Sequence, residues 1–472
     1  AHGVIDRAPT AHPEADAAAS FVTPLPTPRD GLLSRLSLIE EAHESLDAQY
    51  YLWGADAVGY LLLHRLVEAA DRGVAVRLLV DDLGLGRRSR WVAALCRHPS
   101  IEIRIFNRWR HRGGLIAQSV EGVMRFARLD HRMHNKLMIA DSGRVVAGGR
   151  NIADEHYGLR RSYNLVDADW LIEGEAVADL TDVFERYWQS RAAAPGRPLS
   201  GSIAARTLDD ARRHLRDELA RRSSTLSGIL GERAAWAERI GHARHWVDRG
   251  GIRVVSDAPT VEPGGERTAV IEGLHRRIER ARHDVVAVTP FFVPAEEDVA
   301  WYRTLVARGV RVRVLTNSLA SNPGTVSNSG LDGLRAAVVA AGVELHELRS
   351  DAEAKPEWET RPGGGRFLGL HAKLYVVDGE AMVLGSVNLD PRSKYVNTEL
   401  AVLVEDRALA EGASDRIDPL CDPANSWRVD LDRRGRVVWT SDAGGRHRQP
   451  ARSVLQRGAD RLMAHLPLHD YI

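Results

Sequence analysis

Two copies of one polar pattern stand out, one in each half of the chain. Each copy holds a histidine, a lysine two residues later, an aspartate seven residues after the histidine and an asparagine 17 residues after it. The copies comprise His134, Lys136, Asp141 and Asn151, and His371, Lys373, Asp378 and Asn388. Matched spacing of several polar types in both copies indicates shared chemistry, because a histidine that merely fills a core needs no such companions.

Together the two copies could perform phosphoryl transfer without a metal ion. If the halves pack with pseudo-twofold symmetry, two lysines and two asparagines surround one point with positive charge and hydrogen-bond donors. This environment suits a phosphodiester, whose negative charge spreads over its equatorial oxygens in the transition state. One imidazole can attack phosphorus while the other protonates the leaving oxygen. We therefore predict neither a cofactor nor a metal.

A zinc site is the alternative for the first copy, with His131, His134 and Asp141 as ligands. Lys136 stands between these residues and opposes a cation, and a zinc site leaves the second copy unexplained. Asp141 and Asp378 each follow an apolar, β-prone run. We interpret these two aspartates as structural residues at the junction of a strand and a turn.

The chain contains an internal repeat. Residues 72–79, Arg-Gly-Val-Ala-Val-Arg-Leu-Leu, reappear at 308–315 as Arg-Gly-Val-Arg-Val-Arg-Val-Leu, and the two polar patterns lie 237 residues apart. Runs with helical periodicity alternate with β-prone runs, such as a helix through 60–70 followed by a strand at 74–80. This alternation predicts an α/β fold with crossover connections.

The patterns divide the chain into five predicted regions. These are a mobile N-terminal segment (1–30), a first domain (31–200), a helical insertion or linker (201–250), a second domain (251–435) and a C-terminal tail (436–472). Within the tail, apolar residues at near-helical spacing, flanked by arginines, predict a short interfacial helix. A terminal helix packed on the core is an equal alternative.

The composition is that of an ordinary globular protein. The 64 basic and 64 acidic residues give a formal net charge of 0, and 44% of the residues are hydrophobic. These values exclude a disordered chain and argue against a nucleic-acid binder that depends on bulk positive charge. Cys96 and Cys421 are too few for a disulfide framework. Without a run of about 18 apolar residues, we expect no membrane-spanning helix.

The two polar patterns resemble the paired HKD motifs of the phospholipase D superfamily, with Gly-Gly-x-Asn and Gly-Ser-x-Asn behind them. Further stretches are similar to bacterial cardiolipin synthases of the C type, namely Tyr50–Trp53, Thr316–Ala320, Asn388–Ser393, Asn397–Glu399 and Leu431–Trp439. The resemblance implies two pseudo-symmetric α-β-α sandwich domains with the active site at their interface. It also implies a covalent phosphatidyl-histidine intermediate.

Family resemblance implies a division of labour between the histidines. His134 is expected to be the nucleophile and His371 the acid and then the base, although the pseudo-symmetry leaves the reverse assignment open. Each histidine also needs an orienting carboxylate on its other nitrogen. Glu399, 28 residues beyond His371, lies where the family places such a group.

The comparable stretch of the first half offers two carboxylates. Asp167 and Asp169 lie on one face of an alternating strand, and we favour Asp167. Ser386, in the Gly-Ser-x-Asn sequence, is a further supporting residue implied by the resemblance.

The predicted function is that of a phosphatidyltransferase that makes cardiolipin from phosphatidylglycerol and a second phospholipid, with phosphatidylethanolamine as another candidate substrate. A hydrolytic phospholipase D, with water as acceptor, is the alternative, and a superfamily nuclease is less favoured by the net charge. We expect a membrane surface, and no nucleic acid, as partner. The predicted location is peripheral on the bacterial inner membrane, on an undetermined side, with an N-terminal signal or anchor possible before Ala1.

Overall fold

A computed structural model describes residues 19–85, 94–108, 131–196, 207–260, 266–322, 330–361, 364–442 and 444–458. It contains two large mixed sheets, one for each half of the repeat, with helices packed on them. The predicted α/β fold with two pseudo-symmetric domains is therefore confirmed.

The first sheet has nine strands around a parallel core. β2, β3 and β4 are parallel neighbours, and the other pairings are antiparallel. The strands are β1 (Ser20–Leu25), β2 (Ser45–Leu52), β3 (Ala75–Asp81), β4 (Ile101–Phe106), β5 (Leu137–Ala140), β6 (Arg144–Gly148), β8 (Asp169–Gly174), β9 (Ala193–Pro195) and β10 (His245–Val247). Their order is β10-β1-β8-β6-β5-β2-β3-β4-β9.

The second sheet repeats this arrangement and extends it to ten strands. The strands are β11 (Ile252–Ser256), β12 (Asp284–Val288), β13 (Arg311–Asn317), β14 (Glu344–Leu348), β16 (Leu374–Val377), β17 (Ala381–Gly385), β18 (Leu400–Val404), β19 (Ser426–Leu431), β20 (Val437–Ser441) and β21 (Gly444–Arg446). Their order is β11-β18-β17-β16-β12-β13-β14-β19-β20-β21. β12, β13 and β14 are parallel and correspond to β2, β3 and β4.

Helices connect the strands, and their ends follow local sequence signals. The described helices are α1 (Pro28–Glu41), α2 (Ala57–Asp71), α3 (Asp82–Leu85), α4 (Ala176–Trp188), α5 (Leu208–Leu230), α6 (Arg233–His242), α7 (Ala269–Glu279), α8 (Glu296–Ala307), α9 (Arg335–Ala340), α10 (Pro391–Tyr395) and α11 (Arg407–Cys421), with 3₁₀ turns at Asp154–Tyr157 and Lys355–Trp358. Gly73 and Gly309, with φ of 99° and 87°, follow α2 and α8, because a left-handed residue ends each helix before the next strand.

The two halves share one hydrophobic core and a small sheet. β7 (Tyr163–Val166) of the first half pairs in parallel with β15 (Phe367–Leu370) of the second. One buried apolar cluster combines side chains of both halves, such as Leu137 and Tyr187 with Val376 and Ile417. The interface is thus built like a domain interior, which holds the halves in a fixed relation.

Two predicted boundaries are wrong. The N-terminal segment is not a mobile lead-in from Ser20 onward, because Val22 and Leu25 are fully buried on β1, the second strand from one edge of the sheet. Pro24 is tolerated there because β10 pairs only with Ser20–Val22, so the proline has a single neighbouring strand. The predicted tail also contains β20 and β21, which pair onto β19 through a turn at Gly435 (φ 74°).

The described part of the predicted insertion consists mainly of two helices, α5 and α6. α5 packs on α2 and contributes Leu215 and Leu226 to the core of the first half, and the region ends in β10. Most of the predicted interfacial helix, from residue 459 onward, lies outside the described residues. Within the described ranges, no helix combines the length and apolar character needed to cross a bilayer.

Candidate active site

Each predicted catalytic histidine lies in an extended segment just before a strand. His134 and Lys136 precede β5, and His371 and Lys373 precede β16. The residues next to these histidines, such as Asn135 and Ala372, are buried, and both lysines are fully buried.

Backbone hydrogen bonds join each histidine to the other half of the chain. The His134 amide donates to the Thr398 carbonyl (2.9 Å), and the Thr398 amide donates to the Arg132 carbonyl (2.8 Å). In the same way, the His371 amide donates to the Val166 carbonyl (2.8 Å). Each histidine therefore lies next to the residue that precedes the other half's carboxylate.

The imidazoles contact those carboxylates across the interface. His134 Nδ1 lies 2.9 Å from Glu399 Oε2, and His371 Nδ1 lies 2.7 Å from Asp167 Oδ2. Spacing along the sequence associates each carboxylate with the histidine of its own half, and the structure corrects this pairing. Pseudo-symmetric packing exchanges the partners, because the strand ends of one half meet the histidine segment of the other. A proton donated from Nδ1 leaves Nε2 free for chemistry.

Asp169, the rejected alternative to Asp167, has a different environment. Its Oδ2 accepts hydrogen bonds from Arg35 Nη1 (2.8 Å) and Arg150 Nη1 (3.3 Å), and all three side chains are fully buried. This ion-paired cluster ties α1 to β8. Asp169 is thus part of the framework behind the site.

The two histidine-bound carboxylates differ in their other partners. Glu399 accepts hydrogen bonds from the hydroxyls of Ser386 and Ser393, the latter at 2.7 Å. Burial raises the pKa of Glu399 to about 7, against the opposing effect of Lys136. Because the pKa lies near neutrality, Glu399 carries only part of a negative charge at pH 7.

Asp167 is held by imidazoles instead of hydroxyls. Its Oδ2 lies 3.0 Å from His156 Nδ1 in addition to His371 Nδ1. Burial alone would raise the pKa of Asp167, but the charge and hydrogen bonds of His371, His156 and Lys373 lower it well below its ordinary value. Asp167 is therefore ionised at neutral pH.

Two buried lysines make the site electropositive. Lys136 and Lys373 each donate to the backbone carbonyl of the histidine two residues earlier, and Lys373 Nζ lies 3.1 Å from His371 Nε2. Burial, followed by repulsion from Lys373, lowers the pKa of Lys136, and burial lowers the pKa of Lys373 to about 8. Two desolvated ammonium groups gain most from an anion bound between them.

The predicted asparagines are buried beside the histidines. Asn151 Oδ1 accepts from the Leu52 amide (3.3 Å), which turns its amide nitrogen toward His156 Nε2, 3.5 Å away. At Asn388, the backbone N–H donates to Ser393 Oγ (3.1 Å). The Asn151 carboxamide thus contacts a partner of Asp167, whereas at Asn388 it is the backbone that contacts a partner of Glu399.

Asp141 and Asp378 lie at the junction of a strand and a turn and contact the backbone. Each has positive φ (50° and 57°) at the turn of its hairpin. Each carboxylate accepts hydrogen bonds from three consecutive backbone amides, those of residues 43–45 and 282–284, respectively. These contacts anchor each hairpin to the start of the antiparallel strand beside it, β2 or β12.

His156 and Ser393 are site residues that the sequence analysis missed. Each follows its asparagine by five residues, and this equal spacing was the available signal. Among the described residues, one trio of metal-type ligand atoms lies within 4.8 Å, on His156, Asp167 and His371. Lys373 lies 3.0 Å from His371 Nδ1, and Nδ1 of both histidines already contacts Asp167, so these residues disfavour a cation.

Known proteins provide an independent comparison. The family model described as cardiolipin synthase, PLD-like domain, matches residues 36–188 and 274–420. The chain is 31% identical over 466 residues to cardiolipin synthase C of Escherichia coli K12, covering 94% of both chains. It is 24% identical over 380 residues to cardiolipin synthase 1 of Bacillus cereus, covering 79% of this chain and 61% of that one.

A solved structure shares the fold. Phosphatidylserine synthase of Haemophilus influenzae Rd KW20 superposes with a TM-score of 0.58 at 13% identity, covering 86% of this chain and 88% of that one. At this level of identity, the likeness concerns architecture alone.

Proposed function

The chain belongs to the cardiolipin synthase family of phospholipase D-like proteins, and on that premise we propose that it is a phosphatidyltransferase that acts through a covalent phosphohistidine. The observation that carries the proposal is the cross-half arrangement of His134 with Glu399 and of His371 with Asp167. Each pair engages Nδ1 and leaves one Nε2 for phosphorus, and a buried lysine follows each histidine by two residues, as a two-step displacement at phosphorus requires.

His134 is the proposed nucleophile. Burial and then the charges of Lys136 and Lys373 lower the pKa of His134 well below its ordinary value, so its imidazole is neutral and its Nε2 lone pair is available. In the first step, the Nε2–phosphorus bond forms and the bond from phosphorus to the leaving alcohol oxygen breaks. The leaving oxygen takes a proton from His371 Nε2.

His371 is the proposed proton carrier for both steps. Burial and Lys373 lower the pKa of His371 well below its ordinary value, against the opposing effect of Asp167. The proton-carrier role therefore rests on ionised Asp167, which stabilises the protonated imidazole when it forms. In the second step, the acceptor hydroxyl gives its proton to His371 and attacks phosphorus, and the phosphorus–nitrogen bond to His134 breaks. The cycle restores both histidines.

The lysines and asparagines bind the transferring group. Lys136 and Lys373 neutralise the phosphodiester, and Asn151 and Asn388 offer amide hydrogens to its equatorial oxygens. Because these groups supply the positive charge, we expect chelation with EDTA to leave turnover unchanged. Loss of turnover in EDTA, followed by its recovery on addition of zinc or magnesium, would contradict this expectation.

The proposed substrates are phospholipids at a membrane surface. Phosphatidylglycerol would act as donor, and a second phosphatidylglycerol or phosphatidylethanolamine would enter the acceptor side. A peripheral position on the bacterial inner membrane follows from these substrates. A hydrolytic phospholipase D would use the same residues with water as the acceptor.

Lipid mass spectrometry tests the proposal. The protein is incubated with phosphatidylglycerol vesicles, with and without phosphatidylethanolamine, and the products are identified. Cardiolipin is the expected product, and its absence from the His134→Ala variant but not from a variant of exposed His43 would tie it to this site. Phosphatidic acid without cardiolipin would establish the hydrolase instead.

A further inference from the structure

We propose that His156 is a positioning residue that holds Asp167 for His371 and Asn151 for the phosphate, and so assigns proton transfer to His371. The inference rests on the proposed function in one respect, namely that His371 is the proton carrier. Nothing in the paired His-x-Lys-x4-Asp patterns includes His156.

His156 and His371 share one carboxylate oxygen. Their Nδ1 atoms lie 3.0 and 2.7 Å, respectively, from Asp167 Oδ2, and their rings meet edge to face with centroids 4.6 Å apart. His156 is 2% exposed, so a change in its position would leave a cavity beside the carboxylate. Two imidazole donors fix Oδ2 more closely than one donor could.

The hydrogen-bond chain determines the tautomer of His156. Since Nδ1 donates to a carboxylate, Nε2 of the neutral ring is an acceptor. Asn151 Nδ2 lies 3.5 Å from this Nε2, at the long end of hydrogen-bond distances. The series of hydrogen bonds therefore runs from Asn151 through His156 to Asp167. His371 is the second donor to Asp167. The remaining amide hydrogen of Asn151 is left for the substrate.

The second half shows what His156 replaces. Ser393, at the same distance beyond its asparagine, donates to Glu399, and Ser386 supplies a second hydroxyl. The first half has Gly149 in place of Ser386, where an added Cβ would lie 2.1 Å from Asp167 Oδ1. His156 thus takes over the supporting hydroxyls of the other half, and it reaches the asparagine side chain, which a serine cannot do at this distance.

Sharing the oxygen also affects the proton affinity of His371. The titratable groups that face this imidazole are Asp167, Lys373 and His156. A donor at His156 disperses the negative charge of Asp167, so its removal should concentrate that charge on His371. The pKa of His371 should then rise.

The test separates the two contacts of His156. His156→Asn keeps an amide donor near the position of Nδ1 but loses the Nε2 acceptor, whereas His156→Ala loses both. His371 is titrated by NMR in protein labelled at the histidine rings, with its signal identified from a His371→Asn variant. Because this measurement needs no lipid turnover, its outcome is independent of the proposed function.

The expected result is a His371 pKa that moves upward in His156→Ala and stays near the wild-type value in His156→Asn. Both variants should lose roughly 10–100-fold in kcat/KM, typical of a lost supporting partner. Ser393→Ala is the matched control, which should leave the His371 pKa unchanged.

Unaltered titration of His371 in His156→Ala, or equal shifts in both variants, would overturn the proposal. Full activity of His156→Asn would overturn the part that concerns Asn151. If the alanine variant does not fold, His156→Gln, which lacks a donor at the Nδ1 position, takes its place in the titration.

Discussion

The first half contributes Asp167, whose single oxygen accepts from two imidazoles, and the second half contributes Glu399, which accepts from one imidazole and two serine hydroxyls. The pKa of Asp167 lies well below its ordinary value, whereas the pKa of Glu399 is raised to about 7. The same fold and the same motif therefore produce two histidine–carboxylate pairs of unequal charge.

The difference arises from two sequence positions. His156 corresponds to Ser393, and Gly149 corresponds to Ser386, both at the repeat offset of 237. Duplication supplied equal backbones, and these side chains made the environments unequal. Two histidines can have separate roles in one reaction when their carboxylates differ in charge.

The largest expected effect comes from removing each histidine in turn. His134→Ala should give no burst of nitrophenol from a nitrophenyl phosphodiester, because the nucleophile is lost. His371→Ala should slow transfer from a natural lipid by a factor on the order of 10²–10⁴, as for a lost general acid, yet retain a burst with the activated donor. Stopped-flow absorbance measures the nitrophenol burst, and mass spectrometry of the trapped protein locates the covalent adduct. An adduct on His371 would reverse the assignment.

A smaller effect should separate the two carboxylates. Asp167→Asn removes a full negative charge beside His371 and should lower kcat/KM by roughly 10²–10⁴-fold at pH 7. Glu399→Gln replaces a carboxylate that is already partly protonated and should cost only about 10-fold. Equal losses, measured with one short-chain phosphatidylglycerol, would show that charge does not distinguish the two pairs.

The smallest effect should appear in stability. The pKa of folded Glu399 lies above its unfolded value of 4.5, so its contribution to stability is fully present below pH 4.5 and is lost as the pH rises through about 7. Relative to Glu399→Gln, the wild-type free energy of unfolding should fall by an amount on the order of 1–3 kcal/mol between pH 4.5 and 8. Urea unfolding at both pH values measures it. If the difference in unfolding free energy between wild type and Glu399→Gln is the same at both pH values, Glu399 does not titrate in this range.

Much of the site could be predicted from local sequence. The histidines, lysines and asparagines recur at fixed spacing, and the alternation of apolar runs indicated the strands and helices around them. The anchoring role of Asp141 and Asp378 also follows from a local rule, because a short acid at a strand end readily accepts from nearby backbone amides.

The remaining features depend on contacts between distant segments. The exchange of Asp167 and Glu399 between the halves follows from the docking of two domains, which no spacing along one half reports. Likewise, the sequence of β1 resembles a mobile Pro- and Ala-rich segment. Its strand partners, β8 and β10, lie about 150 and 225 residues away and leave no local signal. His156 was missed because it occupies a serine position of the repeat and so has no matching residue type.

The backbone hydrogen bonds from His134 to Thr398 and from His371 to Val166 carry a consequence for inheritance. Either half alone would possess a histidine without its orienting carboxylate. A gene that encodes only one half would therefore not encode a complete site. Fusion in one polypeptide keeps the two halves at a high effective concentration and frees assembly from the amount of protein in the cell. Fusion also lets the two halves diverge in sequence. In a homodimer, by contrast, one sequence must form both sides of the interface.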